Sequence, residues 1–189
     1  MPDINKKNFN HLKIHSQYSI CEGALKIDDL KDLSKEKKIK SIALCDTSNL
    51  CGGLEFAEKI SKVGTQPIIG TQINFKFKET IGLLPLFALN EHGYKKIIDL
   101  SSQSYLENNE LTDPHLDIEK LLEIESGVAI FSGTINGLIG ILFDKGKFSE
   151  IDELYLKLKK KFGDRFYIEI QRHNDQNEVS FEKFNLLRS

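Results

Sequence analysis

The sequence predicts an α/β protein in which short buried strands alternate with amphipathic helices. Three observations carry that expectation. Apolar runs bounded by charge, such as "SIALC" and "GVAIF", are too short for helices and suit buried strands. The segments between them place apolar residues three and four apart, the spacing of one helix face. The bulk composition, 189 residues with 40% hydrophobic and 29% charged, is that of an ordinary globular protein with one core, so a single domain over 1–189 is expected.

In chain order, "HLKIHS" reads as a strand and "KIDDLKDLSKEKKI" as a helix with Ile27, Leu30 and Leu33 on its apolar face. "KSIALCD" suits a buried strand, and "NLCGGLEFAEKISKVG" a helix ended by Gly64. "QPIIGTQINFKF" reads as a third strand with Pro67 near its start. "LLPLFALN" reads as a fourth, at an edge or bulge because of Pro85. A helix over "EHGYKKIIDLSSQSYLE", a loop over "NNELTDPH" and a short helix over "DIEKLLEIE" precede the strand "GVAIFSG". "NGLIGILFDKG" and "FSEIDELYLKLKKKFG" read as helices, "DRFYIEIQRH" as a strand and "EVSFEKFNLLRS" as the start of a last helix. Such alternation implies βα units and a parallel sheet, open or closed.

Several function classes drop out. No apolar run approaches a membrane span, and "MPDINKKNFN" lacks a signal-peptide core, so a cytoplasmic location and no membrane partner are expected. Cys21, Cys45 and Cys51 form no CxxC pair, which argues against a disulfide framework or structural zinc, and Cys45 reads as a buried small hydrophobe. The net charge of −2 gives no global case for nucleic acid, and "KEKKIK" and "LKLKKKF" read as solvated helix faces. There is no GxSxG elbow, no GxxxxGK[ST] loop and no HExxH. His92 and His115 read as surface residues.

Folds of this class place their sites at the carboxyl ends of strands. That rule selects His15 with Ser16, Asp46 with Thr47, Thr71 with Gln72, Ser132 with Thr134, and Gln171 with His173. On an alternating strand His11, Lys13 and His15 share a face, which sets a cation among would-be metal ligands. His15, Glu22 and Asp46 can ligate a metal, whereas a protonated Lys13 has no lone pair to offer. Thr47 and Gln72 are weak neutral ligands. Too few donors remain for the two or three ions of a phosphoesterase centre.

The blocks "HLKIHSQYSICEGALKIDDL", "IALCDTSNLCGGLEF" and "QPIIGTQINF" resemble the opening of the PHP (polymerase and histidinol phosphatase) domain. The likeness continues through "NEHGYKKIIDLSSQSYLE", "GVAIFSGTINGLIG" and "DRFYIEIQRHN". It is narrowest with the N-terminal PHP domain of bacterial DNA polymerase III alpha subunits. The resemblance implies a distorted, TIM-like (β/α)7-type barrel, here cut before its last strands. Metal-competent members carry H-x-H, then S and D-G, on the first strand. Here Lys13 stands for the first histidine, His15 is kept, and Glu22 is the acid before glycine. The second motif, D-H, is Asp46 with Thr47; the third-strand glutamate is Gln72; the next histidine falls near Leu83; and the Cys or His after S-G is Thr134. His173 matches a histidine of many alpha subunits, and the final D-x-H pair is expected past Ser189.

The resemblance therefore implies a vestigial metal cleft without catalytic residues or bound metal. Lys13 is expected to pair with Glu22 or Asp46 in place of the ions. It also implies a structural, partner-binding part of a replicative DNA polymerase, docking the proofreading exonuclease (epsilon) subunit within the polymerase III holoenzyme. DNA contact and Mg²⁺-dependent nucleotidyl transfer would belong to the parent chain. The alternative is an active phosphoesterase or 3′–5′ exonuclease holding Zn²⁺ or Mn²⁺ through His15, Glu22, Asp46 and His173.

Overall fold

The computed structural model describes residues 9–107, 113–173 and 176–188. The chain forms two compact units, 1–71 and 72–189, and the boundary falls inside one strand, β2. The fold is mixed α/β, with parallel and antiparallel strand pairs.

The first unit contains α1 (Ile27–Lys37), β1 (Ser41–Thr47), α2 (Gly53–Ser61) and the start of β2 (Gln66–Phe77), which neighbours β1. Helix α1 begins with Asp28 and Asp29 and ends with Lys35 and Lys37, charges that oppose its dipole. It buries Ile27, Leu30 and Ser34. Leu33, assigned to the apolar face from spacing, is 42% exposed, because the buried stripe drifts to position 34. Lys38 closes α1 in a left-handed conformation, with Ile39 N donating to Ser34 O at 3.0 Å. Gly64, at φ +78°, follows α2 as expected. Ile27, Leu30, Ile42, Leu44, Phe56 and Ile60 form the core, with Ile14, Tyr18, Ile39 and Ile69 against it. Cys45 is fully buried, as its apolar setting predicted.

Residues 11–15, where a strand was expected, form no regular strand. Ala43 N donates to His11 O at 2.9 Å and Cys45 N to Ile14 O at 2.8 Å. Three steps on this segment thus answer two on β1. The extra residue breaks the strict alternation that put His11, Lys13 and His15 on one face, as a bulge does.

The second unit continues β2 and adds β3 (Thr80–Ala88), α3 (Glu91–Leu106), β4 (His115–Asp117) and α4 (Ile118–Leu122). Then come β5 (Val128–Phe131), α5 (Leu138–Asp144), α6 (Phe148–Phe162), a 3-10 turn at Gly163–Arg165, β6 (Phe166–Tyr167) and α7 (Gln176–Leu186). The order is β2-β3-β5-β6, with β4 on β2. Pairs β2–β4 and β5–β6 are parallel, while β3–β5 is antiparallel. The alternation of strands and helices predicted a parallel sheet. The two-residue link Lys78–Glu79, with Lys78 at φ 53°, turns β2 straight back into β3, which only an antiparallel pair allows. Pro85 lies inside β3, just before its pairing with β5 begins at Leu86, so its missing N–H interrupts none of those pairs. The "DRFYIEIQRH" strand is paired only at Phe166 and Tyr167. His115 lies in β4, where a loop was expected; residues 108–112 of that loop lie outside the described residues.

Asn90 caps α3 by accepting from Gly93 N at 2.9 Å. Leu89 N donates to Gly127 O at 2.8 Å, and a Cβ on Gly93 would lie 1.7 Å from that same oxygen. This contact seats the start of α3 on the turn before β5. Helix α7 packs Phe181 and Phe184 on Phe143, with ring centroids 5.3 and 5.0 Å away. Tyr155 of α6 donates to Asn185 Oδ1 at 2.8 Å, and burial pushes the Tyr155 hydroxyl's pKa upward. Among the described residues, no helix is long and apolar enough to cross a membrane.

Candidate functional site

In the first unit the sequence-selected residues gather at the carboxyl end of β1. Asp46 is 1% exposed, and both its carboxylate oxygens are occupied. Oδ1 accepts from Ser16 N at 2.6 Å and from Ser19 Oγ at 2.7 Å, and Oδ2 accepts from Ser16 Oγ at 2.8 Å. Three charge-assisted bonds satisfy an anion that burial would otherwise penalise. The Asp46 carbonyl accepts from Thr71 Oγ1 at 2.6 Å. Ser19 Oγ also accepts from Thr47 N at 3.0 Å. Thr47 donates its hydroxyl to Glu22 Oε2.

The loop carrying Ser16, Ser19 and Glu22 is itself tightly tied. Ser19 N donates to Ser16 O, Glu22 N and Gly23 N to Ser19 O, and Gln17 N to Leu25 O, all at 2.9–3.0 Å. A Cβ on Gly23 would meet Ser16 O at 1.9 Å, so only glycine allows this approach. Cys21 (φ 67°) and Ser48 (φ 56°) are left-handed without being glycine, a conformation that the surrounding bonds hold in place. Asn49 secures the neighbouring turn, donating to Tyr18 O at 3.0 Å and Thr47 O at 2.9 Å. Tyr18 then reaches Glu55 of α2 at 2.9 Å. Lys59 bridges Glu55 and Asp28 at 2.7 and 2.8 Å, which raises its own pKa and lowers theirs.

His15 borders this knot. Burial and then the Lys13 ammonium lower its pKa from the ordinary imidazole value, against the opposing pull of Glu22 and Asp46. Its Nδ1 is buried with no hydrogen-bond partner.

The remaining candidates belong to the second unit. Gln72 is 5% exposed on β2, and Leu83 lies on β3 with only an apolar side chain to offer. Ser132 Oγ accepts from Glu169 N at 2.9 Å. Thr134 lines a small cleft with Glu169, Gln171, Glu178 and Glu182. His173 pairs its Nδ1 with Glu178 at 2.7 Å. His92 is exposed, as expected. Among the described residues, no group of three or more His, Cys, Asp or Glu is arranged to hold a metal ion.

Sequence reasoning missed Ser19, which bonds to both Asp46 and Thr47. The only available signal was its S-x-x-S spacing from Ser16, which puts two hydroxyls on one turn. It also missed Glu178 and Glu182, which look like ordinary helix-surface acids.

A family model described as PHP domain matches residues 11–173. The chain belongs to the PHP domain family. PHP-domain relatives include a protein of Caulobacter vibrioides named DNA polymerase III subunit alpha, 35% identical over 195 residues. That match covers 96% of this chain and 17% of the relative. A protein of the same name from Borreliella burgdorferi is 36% identical over 188 residues, covering 93% of this chain and 16% of its own. The chain thus spans about a sixth of the length of these relatives. A solved structure described as a putative metal-dependent phosphoesterase from Bifidobacterium adolescentis is similar over 80% of this chain and 50% of its own, at 15% identity and a TM-score of 0.39.

Proposed function

We propose that this PHP domain is the N-terminal part of a replicative DNA polymerase III alpha subunit, acting in the cytoplasm as a structural and docking element. The reading includes membership of the polymerase III holoenzyme and contact with its proofreading exonuclease. The relatives' shared name supports the replication role. The observation that carries the structural role is the occupation of Asp46 and Glu22 by hydroxyl and amide donors. These are the carboxylates a metal centre would need, and their lone pairs already point at Ser16, Ser19 and Thr47. One imidazole, two engaged carboxylates and a nearby ammonium do not fit a site for two or three dications. Nucleotidyl transfer is then a property of the parent polypeptide, with its own Mg²⁺.

The experiment has two arms. Protein purified without chelator is expected to carry well under one zinc or manganese per chain by mass spectrometry of metals. The same protein is expected to retain a proofreading exonuclease in a pull-down. Stoichiometric metal, with phosphoesterase turnover lost in His15→Ala, would overturn the reading. The partnerless Nδ1 of His15 is the one observation that favours that alternative.

The positive charge of Lys13 belongs to the same proposal, balancing Glu22 now that Asp46 is engaged by three other donors. Lys13→Ala is expected to lower stability by about 1 kcal/mol, the upper range for a part-exposed pair. An unchanged urea midpoint would sink the pairing.

A further inference from the structure

We propose that the first unit binds single-stranded nucleic acid at the amino ends of β1 and β2, the end away from Asp46. Lysines would take the phosphates and the Phe9 ring a base. Helices α1 and α2 run the same way: a Cβ on Gly52, at the start of α2, would lie 3.2 Å from Ile27 Cδ1, at the start of α1. Their far ends meet through the links that follow them. Thr65 Oγ1 donates to Ile39 O and Gln66 N to Lys40 O, both at 2.8 Å. These bonds gather Lys35, Lys37, Lys38, Lys40 and Lys62, all exposed, at one pole of the unit. The acids in the same stretches are Glu58 and Glu36, the latter paired with Lys37 at 2.6 Å. Among the described residues, Lys35, Lys38, Lys40 and Lys62 have no ion-pair partner.

Complementing two helix dipoles takes one or two of these charges, and the surplus faces water. Lys38 also holds a left-handed conformation, φ 51°, at a helix end where glycine is usual and where Gly64 stands after α2. The net charge of −2 does not oppose a local anion site, because screening limits each charge to about 8–10 Å. Lysines alone suit any polyanion; the aromatic ring narrows the choice. Phe9 is 73% exposed, with its ring centroid 4.9 Å from that of His11. The His11 carbonyl accepts from Ala43 N, and Ala43 is only about 10 Å of strand from Lys40. A single strand has both phosphates to exchange for counterions and unstacked bases to lay on a ring. Duplex bases are already stacked, and an acidic peptide has none.

Fluorescence anisotropy of a labelled thymidine oligonucleotide, about 20 nucleotides long, tests this across about 50–200 mM NaCl. The logarithm of affinity is expected to fall with the logarithm of salt at a slope of about −3, the value for four to five phosphate contacts. Lys38→Gln with Lys62→Gln is expected to roughly halve that slope. Phe9→Ala is expected to weaken binding about tenfold at every salt concentration and leave the slope unchanged. Lys159→Gln with Lys160→Gln, on α6 of the second unit, is the control and is expected to change neither. No binding at low salt, or a slope untouched by the Lys38 and Lys62 changes, would overturn the site. A duplex of equal length held as tightly, with Phe9→Ala silent, would overturn the single-strand assignment. Poly-glutamate displacing the oligonucleotide at equal charge would do the same in favour of an acidic protein. Metal content and the exonuclease pull-down do not bear on any of these results.

Discussion

Asp46→Ala is expected to cost about 3–5 kcal/mol of folding free energy, read as a fall in the urea midpoint at constant slope. The estimate follows from what the change strands. Ser16 N, Ser16 Oγ and Ser19 Oγ all donate to this carboxylate, and Ser16, Ser19 and Asp46 are each at most 1% exposed. Alanine leaves three buried donors without an acceptor, and water has little access to replace it. The damage also spreads along the chain, since Ser19 is the acceptor for Thr47 N. Asp46→Asn separates charge from shape. It keeps an acceptor oxygen but turns a donor toward a serine hydroxyl, and about half the loss is expected. A loss under about 1 kcal/mol for alanine would mean that the carboxylate is dispensable to the fold, and the structural role argued for it would fall with it.

Gly93→Ala should be the second severe change, at about 3 kcal/mol or more. The added Cβ would lie 1.7 Å from Gly127 O and 2.4 Å from Gly127 C, both backbone atoms that cannot rotate away. Relief requires moving α3 off its seat, which also pulls Gly93 N from the Asn90 cap. Gly64→Ala is the contrast. That glycine has φ +78° with nothing within 4 Å of its Cβ position, so only the left-handed backbone resists, at about 1 kcal/mol. Equal losses at the two positions would show that crowding at Gly93 is not the controlling term.

Local periodicity made most elements legible. β2 falls on the segment the sequence marked, and α1, α2, α3 and α6 lie within theirs, because each carries a complete apolar pattern with a recognisable stop. The β2–β3 reversal was not legible, since Lys78–Glu79 has none of the glycine or asparagine that announces a tight hairpin. The strand expected at 11–16 does not form as a regular strand, and the slipped register of that segment depends on β1, some thirty residues away. Propensity cannot see that partner.

At the site, chain position alone singled out Asp46, Thr47 and Ser16. The chemistry that binds them was harder to foresee. The sequence drew attention to the charge of Lys13, whereas the bonds to Asp46 come from hydroxyls and a backbone amide. Serine and threonine are common in every loop, so Ser19 acquires meaning only once folding sets it between β1 and the preceding turn.

The tied loop at 16–25 has one more consequence. Ile20 stands at its tip, 84% exposed, on a loop tied by four backbone bonds of its own and three bonds from Ser16 and Ser19 to Asp46. An apolar group displayed on so stiff a mount has little chain freedom left to surrender when another surface covers it. Whatever meets that face recovers nearly the full benefit of drying it.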